Sequence, residues 1–216
     1  MQTRSRDDGH NRWAAVLVAS SAGGVEGLVA LLGGLHATLP VPVLVAHHLN
    51  RSRETRIVDV LSRSTALTVE LAEDGRLPRA GTVYIAPPNR HLCVQQSGVL
   101  SLTQEDRVNF ARPAADPLFE SAADTFGAGV IGCVLSGADG DGARGVEAVK
   151  AHGGTVIVQD PETAPFRGMP KAAIGTGQVD IVLPLTAIGP AITRLVQGDV
   201  PGDVHGVSGP GSCPSP

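Results

Sequence analysis

The chain has 216 residues, 42% of them hydrophobic, with a formal net charge of −4, which suits one globular domain with a full core better than two. Only four Phe, one Tyr and one Trp stand on this acidic chain, which argues against a nucleic-acid binder built on phosphate neutralisation and base stacking. No run reaches the roughly 18 apolar residues of a membrane span, and the polar N-terminus lacks a signal-peptide apolar core, so membrane insertion is set aside and a cytoplasmic location is expected.

Residues 1–12 read as a disordered polar tail, 13–197 as the domain, and 198–216, rich in Gly, Pro and Ser, as a second disordered tail. "AVLVA" (Ala15 to Ala19) is a short buried strand, and Val25, Leu28, Val29, Leu32 and Leu35 then recur at helical spacing. "VPVLVA" (Val41 to Ala46) is a second buried strand, followed by a helical run with Ile57, Val58 and Leu61 inward. "LTVELAE" and "GTVYIAP" alternate with the period of a strand, and "HLCVQQSGVLSLTQ" predicts a hairpin turning at Ser97 and Gly98. Asp116 is placed to cap the helix "PLFESAADTF", with Pro117 at the first helical position. "GVIGCVLSG" is a strand, "ARGVEAVKAH" a helix, "GTVIVQD" a strand, and "LTAIGPAITRLVQ" a last helix weakened by Gly189 and Pro190.

Strands alternating with helices predict an α/β fold, a largely parallel sheet covered on both faces, with a β-hairpin inserted midway. In such sheets reacting groups collect beyond the carboxyl ends of the strands. Ser20 and Ser21 follow the first strand, His47 and His48 the second, and Asp139 and Asp141 sit in the loop "SGADGDGARG". A serine, a histidine and an aspartate on one sheet edge are the groups a nucleophilic hydrolase uses.

Each piece has a plainer reading when taken alone. The serines with Gly23 and Gly24 suit a helix N-cap and tight turn, whereas a phosphate cradle lacks both the GxGxxG and the Gly-Lys-Ser/Thr pattern. The histidines suit strand ends meeting water. A calcium loop starting at Asp139 fails, because Arg144 stands where glycine is required and Lys150 where the bidentate glutamate belongs. Cys93, Cys133 and Cys213 are odd in number and scattered, so neither a disulfide framework nor a zinc site is indicated.

Together, "VASSAGGVEGL", "VAHHL", "EDGRLPRAGTVYIAPPNRHL", "RPAADPLFES", "GVIGCVLSGADGDGARGVEAVKAHGGTVIVQD" and "RGMPKAAI" resemble, in order and spacing, the catalytic domain of CheB-type chemotaxis methylesterases. The resemblance runs from about Val16 to Ile188 and implies a three-layer α/β/α sandwich. It implies Ser21 as nucleophile, His48 as general base and then acid, and Asp141 as the carboxylate orienting the imidazole. Ser20 and His47 become neighbours, not members of the triad. The backbone N–H groups of Ala22 and Ala138 are the expected oxyanion donors. The implied substrate is a glutamyl methyl ester on the cytoplasmic region of a methyl-accepting chemotaxis receptor, with deamidation of receptor glutamines by the same machinery. Neither metal nor organic cofactor is implied. A non-catalytic relative that binds a receptor or signalling protein is the alternative.

Several positions depart from the family pattern. Ala22 stands for threonine, Ala138 for methionine, Asp139 for glycine, and "LNRSR" for a Pro-rich stretch after the histidine. Regulated members also carry an N-terminal receiver domain. With only a dozen polar residues before Trp13, an unmasked or separately controlled esterase is expected.

Overall fold

A computed structural model describes residues 12–49 and 56–198. All but Arg12 and Gly198 of the two expected tails, Cys213, and "NRSR" after Leu49 lie outside the described residues.

Nine strands and six α-helices are described. The strands are β1 (Ala15–Ser20), β2 (Val43–His47), β3 (Thr68–Leu71), β4 (Thr82–Ile85), β5 (His91–Val94), β6 (Leu100–Thr103), β7 (Val130–Val134), β8 (Thr155–Gln159) and β9 (Ile181–Leu183). The helices are α1 (Gly24–Gly33), α2 (Ile57–Leu61), α3 (Ala115–Phe126), α4 (Ala143–Ala151), α5 (Gly168–Gly175) and α6 (Leu185–Gln197). Seven strands form one sheet in the order β3-β4-β2-β1-β7-β8-β9, every described pairing in it parallel. β5 and β6 pair antiparallel as the separate hairpin, and Gly98 supplies the positive φ of its turn.

Side chains alternate across the central strands, so each face of the sheet has its own core. Val16, Val18, Val43 and Val45 pack with Leu28, Leu31 and Leu32 of α1 and Ile188 and Ile192 of α6. Leu17, Ala19, Leu44 and Tyr84 pack on the opposite face with Leu118 and Phe119 of α3 and Val146 and Val149 of α4. Each fully buried Leu or Ile contributes about 1.5–3 kcal/mol of transfer free energy, and together they hold the strand ends that carry the site.

Two details differ from the sequence reading. The segments α5 and β9 were not foreseen, because β9 has three half-buried or exposed residues and α5 opens on glycine and includes Pro170. Helix α6 covers the expected run Leu185–Gln197 and continues through Gly189 and Pro190, because tertiary packing overrides propensity. A Cβ at Gly189 would lie 2.6 Å from the Leu31 carbonyl, so this glycine lets α6 cross close over the end of α1. Asp116 does not cap α3. The helix starts at Ala115 after Ala114, and Ala114 offers no side-chain cap. The cap comes from the loop after β7.

Candidate active site

Strands β1 and β2 lie side by side with Ser20 paired to His47. The two residues that follow, Ser21 and His48, therefore leave the sheet at the same level on adjacent strands. The amide of His48 donates to the Ser20 carbonyl at 3.2 Å, and that of Ser21 to the Ser136 carbonyl beyond β7 at 3.0 Å. Three strand ends are tied together in this way.

Two serine–histidine pairs result. Ser20 Oγ lies 2.9 Å from His47 Nδ1 in a buried pair, and Ser21 Oγ lies 2.9 Å from His48 Nδ1 in a half-buried one. Burial, and then the neighbouring His48, push the His47 pKa down to about 4, so this imidazole is neutral and sealed away. Only the second pair meets a carboxylate among the described residues. His48 Nε2 lies 2.8 Å from Asp141 Oδ2. An ionised carboxylate only accepts, so Nε2 carries the proton, and Nδ1 keeps a lone pair that accepts the Ser21 hydroxyl. The two ring nitrogens exchange the partners they have in the chymotrypsin-type triad, with a lone-pair nitrogen still turned to the serine hydroxyl.

Asp141 is fully buried and makes four hydrogen bonds. Oδ2 accepts from His48 and from the Ala115 amide at 2.6 Å; Oδ1 accepts from the Asp116 amide at 3.3 Å and from Asn109 Nδ2 at 3.2 Å. The first two amides of α3 are thus capped by a side chain from the loop after β7, and the helix N-terminus favours the negative charge. Burial alone raises the Asp141 pKa, but the bonds from His48, Ala115 and Asp116 with the His48 charge bring it below the ordinary carboxylate range. For His48, burial lowers the pKa, while the bond and charge of Asp141 and then the charge of Asp139 raise it to a net value above 6.5.

The residues around this series brace it. Asp116 is buried and accepts from the Gly145 amide at 2.9 Å, from Asn109 Nδ2 at 3.2 Å and from Arg144 Nε at 3.4 Å. Arg112 donates to Asn89 Oδ1 and to the carbonyls of Gln104 and Glu105, forming one wall of a cavity of about 390 Å³ that reaches His48. Met169 is buried over Gly137, which has no room for a Cβ against it. Gln159, the polar residue that ends β8, accepts the Ser136 amide at 2.9 Å and donates to the Thr163 carbonyl at 3.2 Å. Ser136 Oγ donates to the Ala22 carbonyl at 2.9 Å. The amides of Ala22 and Ala138 make no hydrogen bond among the described residues.

Asn109 and Gln159 were missed. A polar residue closing an apolar strand at the carboxyl edge was the available signal for Gln159. Asn109 gave none, since it stands in a polar loop without periodicity. Among the described residues, no three His, Cys, Asp or Glu side chains gather as metal ligands. No helix among them is long and apolar enough to cross a membrane.

A parallel sheet sandwiched between helices, with a serine, an imidazole and a buried carboxylate in hydrogen-bonded series beyond its strand ends, has the architecture of an α/β serine hydrolase. Residues 16–192 match the family model of the CheB methylesterase, and the chain belongs to that family. Relatives named protein-glutamate methylesterase/protein-glutamine glutaminase include one from Caulobacter vibrioides, 39% identical over 182 residues, covering 82% of this chain and 52% of that one. Another, from the group 3 operon of Rhizobium meliloti, is 38% identical over 181 residues and covers 84% and 51%. A Leptospira interrogans relative, 34% identical over 188 residues, covers 87% of this chain and 97% of that one. This chain therefore spans nearly all of some relatives and about half of others. The crystal structure of the Thermotoga maritima CheB methylesterase catalytic domain superposes with a TM-score of 0.81 at 36% identity, covering 85% of this chain and 99% of that one.

Proposed function

We propose that this chain is a protein-glutamate methylesterase in which Ser21 is the nucleophile, His48 the general base and acid, and Asp141 the carboxylate that fixes the imidazole. The observation that carries the reading is the unbroken series from Ser21 Oγ through both ring nitrogens of His48 to Asp141.

In this mechanism Ser21 Oγ attacks the carbonyl of a glutamyl methyl ester as its proton passes to His48 Nδ1. The oxyanion is received by the amides of Ala22 and Ala138. Collapse breaks the carbon–methoxy bond, His48 returns the proton to the methoxy oxygen, and methanol leaves. A water that loses its proton to His48 then cleaves the acyl-enzyme, restoring Ser21 and releasing the glutamate carboxylate. A glutamine amide entering the same series releases ammonia. The protein substrate is the cytoplasmic region of a methyl-accepting chemotaxis receptor, which gives the chain a cytoplasmic place of action.

The test is methanol release from methylated chemoreceptor membranes, comparing the protein with its Ser21→Ala form at equal concentration. Release that falls on the order of 10⁶ in the variant, as for loss of a triad nucleophile, supports the reading. Absence of Ser21-dependent release overturns it.

A further inference from the structure

His48 faces a second carboxylate that the triad does not use. Asp139 Oδ2 lies 3.5 Å from His48 Nδ1, the nitrogen that also receives the Ser21 hydroxyl at 2.9 Å. The other oxygen of Asp139 accepts the Asp141 amide at 3.1 Å, so the carboxylate is anchored on one side and aimed at the imidazole on the other. Its side chain is 38% exposed and that of His48 is 16% exposed, which sets the pair at the mouth of the cavity and not in bulk water.

We propose that Asp139 is a positioning residue for the esterase reaction, a second counter-charge that stabilises His48 only while the proton taken from Ser21 is on Nδ1. The inference rests on the catalytic reading above.

The effect comes from differential interaction. Before attack, Nδ1 presents a lone pair, and a carboxylate beside it gives no attraction; the Ser21 hydroxyl is then the favoured partner at that nitrogen. Once the proton has moved, the imidazolium carries positive charge with Nδ1 3.5 Å from Asp139 Oδ2. An interaction present in the transition state and absent from the ground state accelerates the step. The same charge also favours the protonated imidazole in the free protein, where His48 cannot act as a base, so acceleration comes with a loss of activity toward acid pH.

The other ionisable groups around His48 do not duplicate this effect. Asp141 lies on the opposite nitrogen. Asp116 is separated from it by Asn109. His47 precedes it on β2, held by Ser20. Arg107 and Arg112 line the same cavity, with Arg112 engaged by Asn89, Gln104 and Glu105. Among the described residues, Asp139 is the one carboxylate placed on the serine side.

The test compares the protein with Asp139→Asn, which keeps an oxygen for the Asp141 amide and removes the charge. Two readouts are taken: the pH profile of kcat/KM on a small soluble methyl ester, and the NMR titration of the His48 ring. The expected result is a plateau lower by about two- to fivefold, as for a partly exposed ion pair, with both the acid limb and the ring titration moved to lower pH. Raised salt shrinks the difference, because the pair is partly exposed. An unchanged ring titration in Asp139→Asn overturns the inference. If the unaltered protein shows no Ser21-dependent hydrolysis, the catalytic reading fails separately, and the ring titration still decides whether Asp139 acts on His48.

Discussion

His48 and Asp141 stand 93 residues apart in the chain, yet the imidazole Nε2 and the carboxylate Oδ2 meet at 2.8 Å. The same carboxylate closes the N-terminus of α3 through Ala115 and Asp116. One side chain thus joins the imidazole to the scaffold. Asp141→Asn is expected to lower the hydrolysis rate by about 10⁴, as when a triad carboxylate becomes an amide and the imidazole tautomer is wrong. Because the folded pKa of Asp141 is depressed, the stability it contributes is fully present above its unfolded pKa of about 3.9 and is lost as pH falls through the lower folded value. His48 has the opposite sign. Its raised pKa gives stability present below about pH 6.5 and lost as pH rises through the folded value, and kcat/KM declines as pH falls through that same value. Acid unfolding curves of the two forms check the first statement: that of Asp141→Asn has the shallower loss at low pH.

Asn109 holds two buried carboxylates apart, donating to Asp141 Oδ1 and Asp116 Oδ2, both at 3.2 Å. Asp116 has its pKa raised, first by burial and also by the nearby Asp141, so an amide between the two is electrostatically useful. Asn109 also has a positive φ of 50°, which asparagine tolerates better than most residues. Asn109→Gly keeps the backbone and removes the amide, and is expected to cost about 1–3 kcal/mol for the buried acceptors left short of a donor, with hydrolysis reduced by about 10- to 100-fold. Denaturant midpoints and kcat measured on the same preparation check both. A rate unchanged by Asn109→Gly refutes the bracing role.

How much of this was legible before the structure depends on the range of the interactions. Val16, Val18, Val43, Ile131 and Ile157 are buried on central parallel strands, and a strand covered on both faces shows as an apolar run that needs no partner to be recognised. The same pattern places the pairs Ser20 and Ser21, His47 and His48, and Asp139 and Asp141 beyond such runs, whereas the choice of Ser21, His48 and Asp141 among them came from the family resemblance. The capping of α3 by Asp141 was not legible: a local reading assigns the cap to a nearby residue, Asp116, whereas the acceptor comes from 26 residues onward. Helix α5 was hidden for a similar reason. Its first turn is held by Lys171 N on Arg167 O and by Met169 N on the Gly137 carbonyl, and the second of these exists only once the loop after β7 is in place.

Gly168 marks where α5 presses on the site. A Cβ there would collide with the Ala138 carbonyl and come within 2.8 Å of the Asp139 oxygen, so the backbone carrying the proposed oxyanion donor and the second carboxylate has to shift. Gly168→Ala is expected to lower kcat by about 10² or more, the effect of losing one oxyanion donor, and to destabilise the fold by about 1–3 kcal/mol as an overpacked contact. Gly175 in the same helix is the control. A Cβ there meets nothing within 4 Å, so Gly175→Ala gains stability by about 0.5–1 kcal/mol and leaves kcat unchanged. Equal kcat values for the two variants count against the assignment of Ala138.

Phe110 sits in a turn whose cost points to use. The bridge between Val108 and Ala111 closes over Asn109 and Phe110, both with positive φ, 50° and 61°, as in a type I′ turn. A left-handed backbone costs an ordinary residue about 1–2 kcal/mol, and Phe110 recovers little of it by burial, since it is 95% exposed. It also lines the cavity that reaches His48. Strain held at a cavity rim is a sign of binding function, and a broad apolar ring there suits contact with a protein substrate better than with a small ester. Phe110→Gly is therefore expected to leave stability unchanged or raise it by up to about 1 kcal/mol, the relief of strain less the chain entropy of glycine. The same variant should hydrolyse a small methyl ester at the unaltered rate while its KM for methylated receptor membranes rises several-fold. Thermal unfolding and the two assays run side by side separate these effects: equal KM values on receptor remove Phe110 from the docking surface, and a lower rate on the small ester places it in the catalytic site instead.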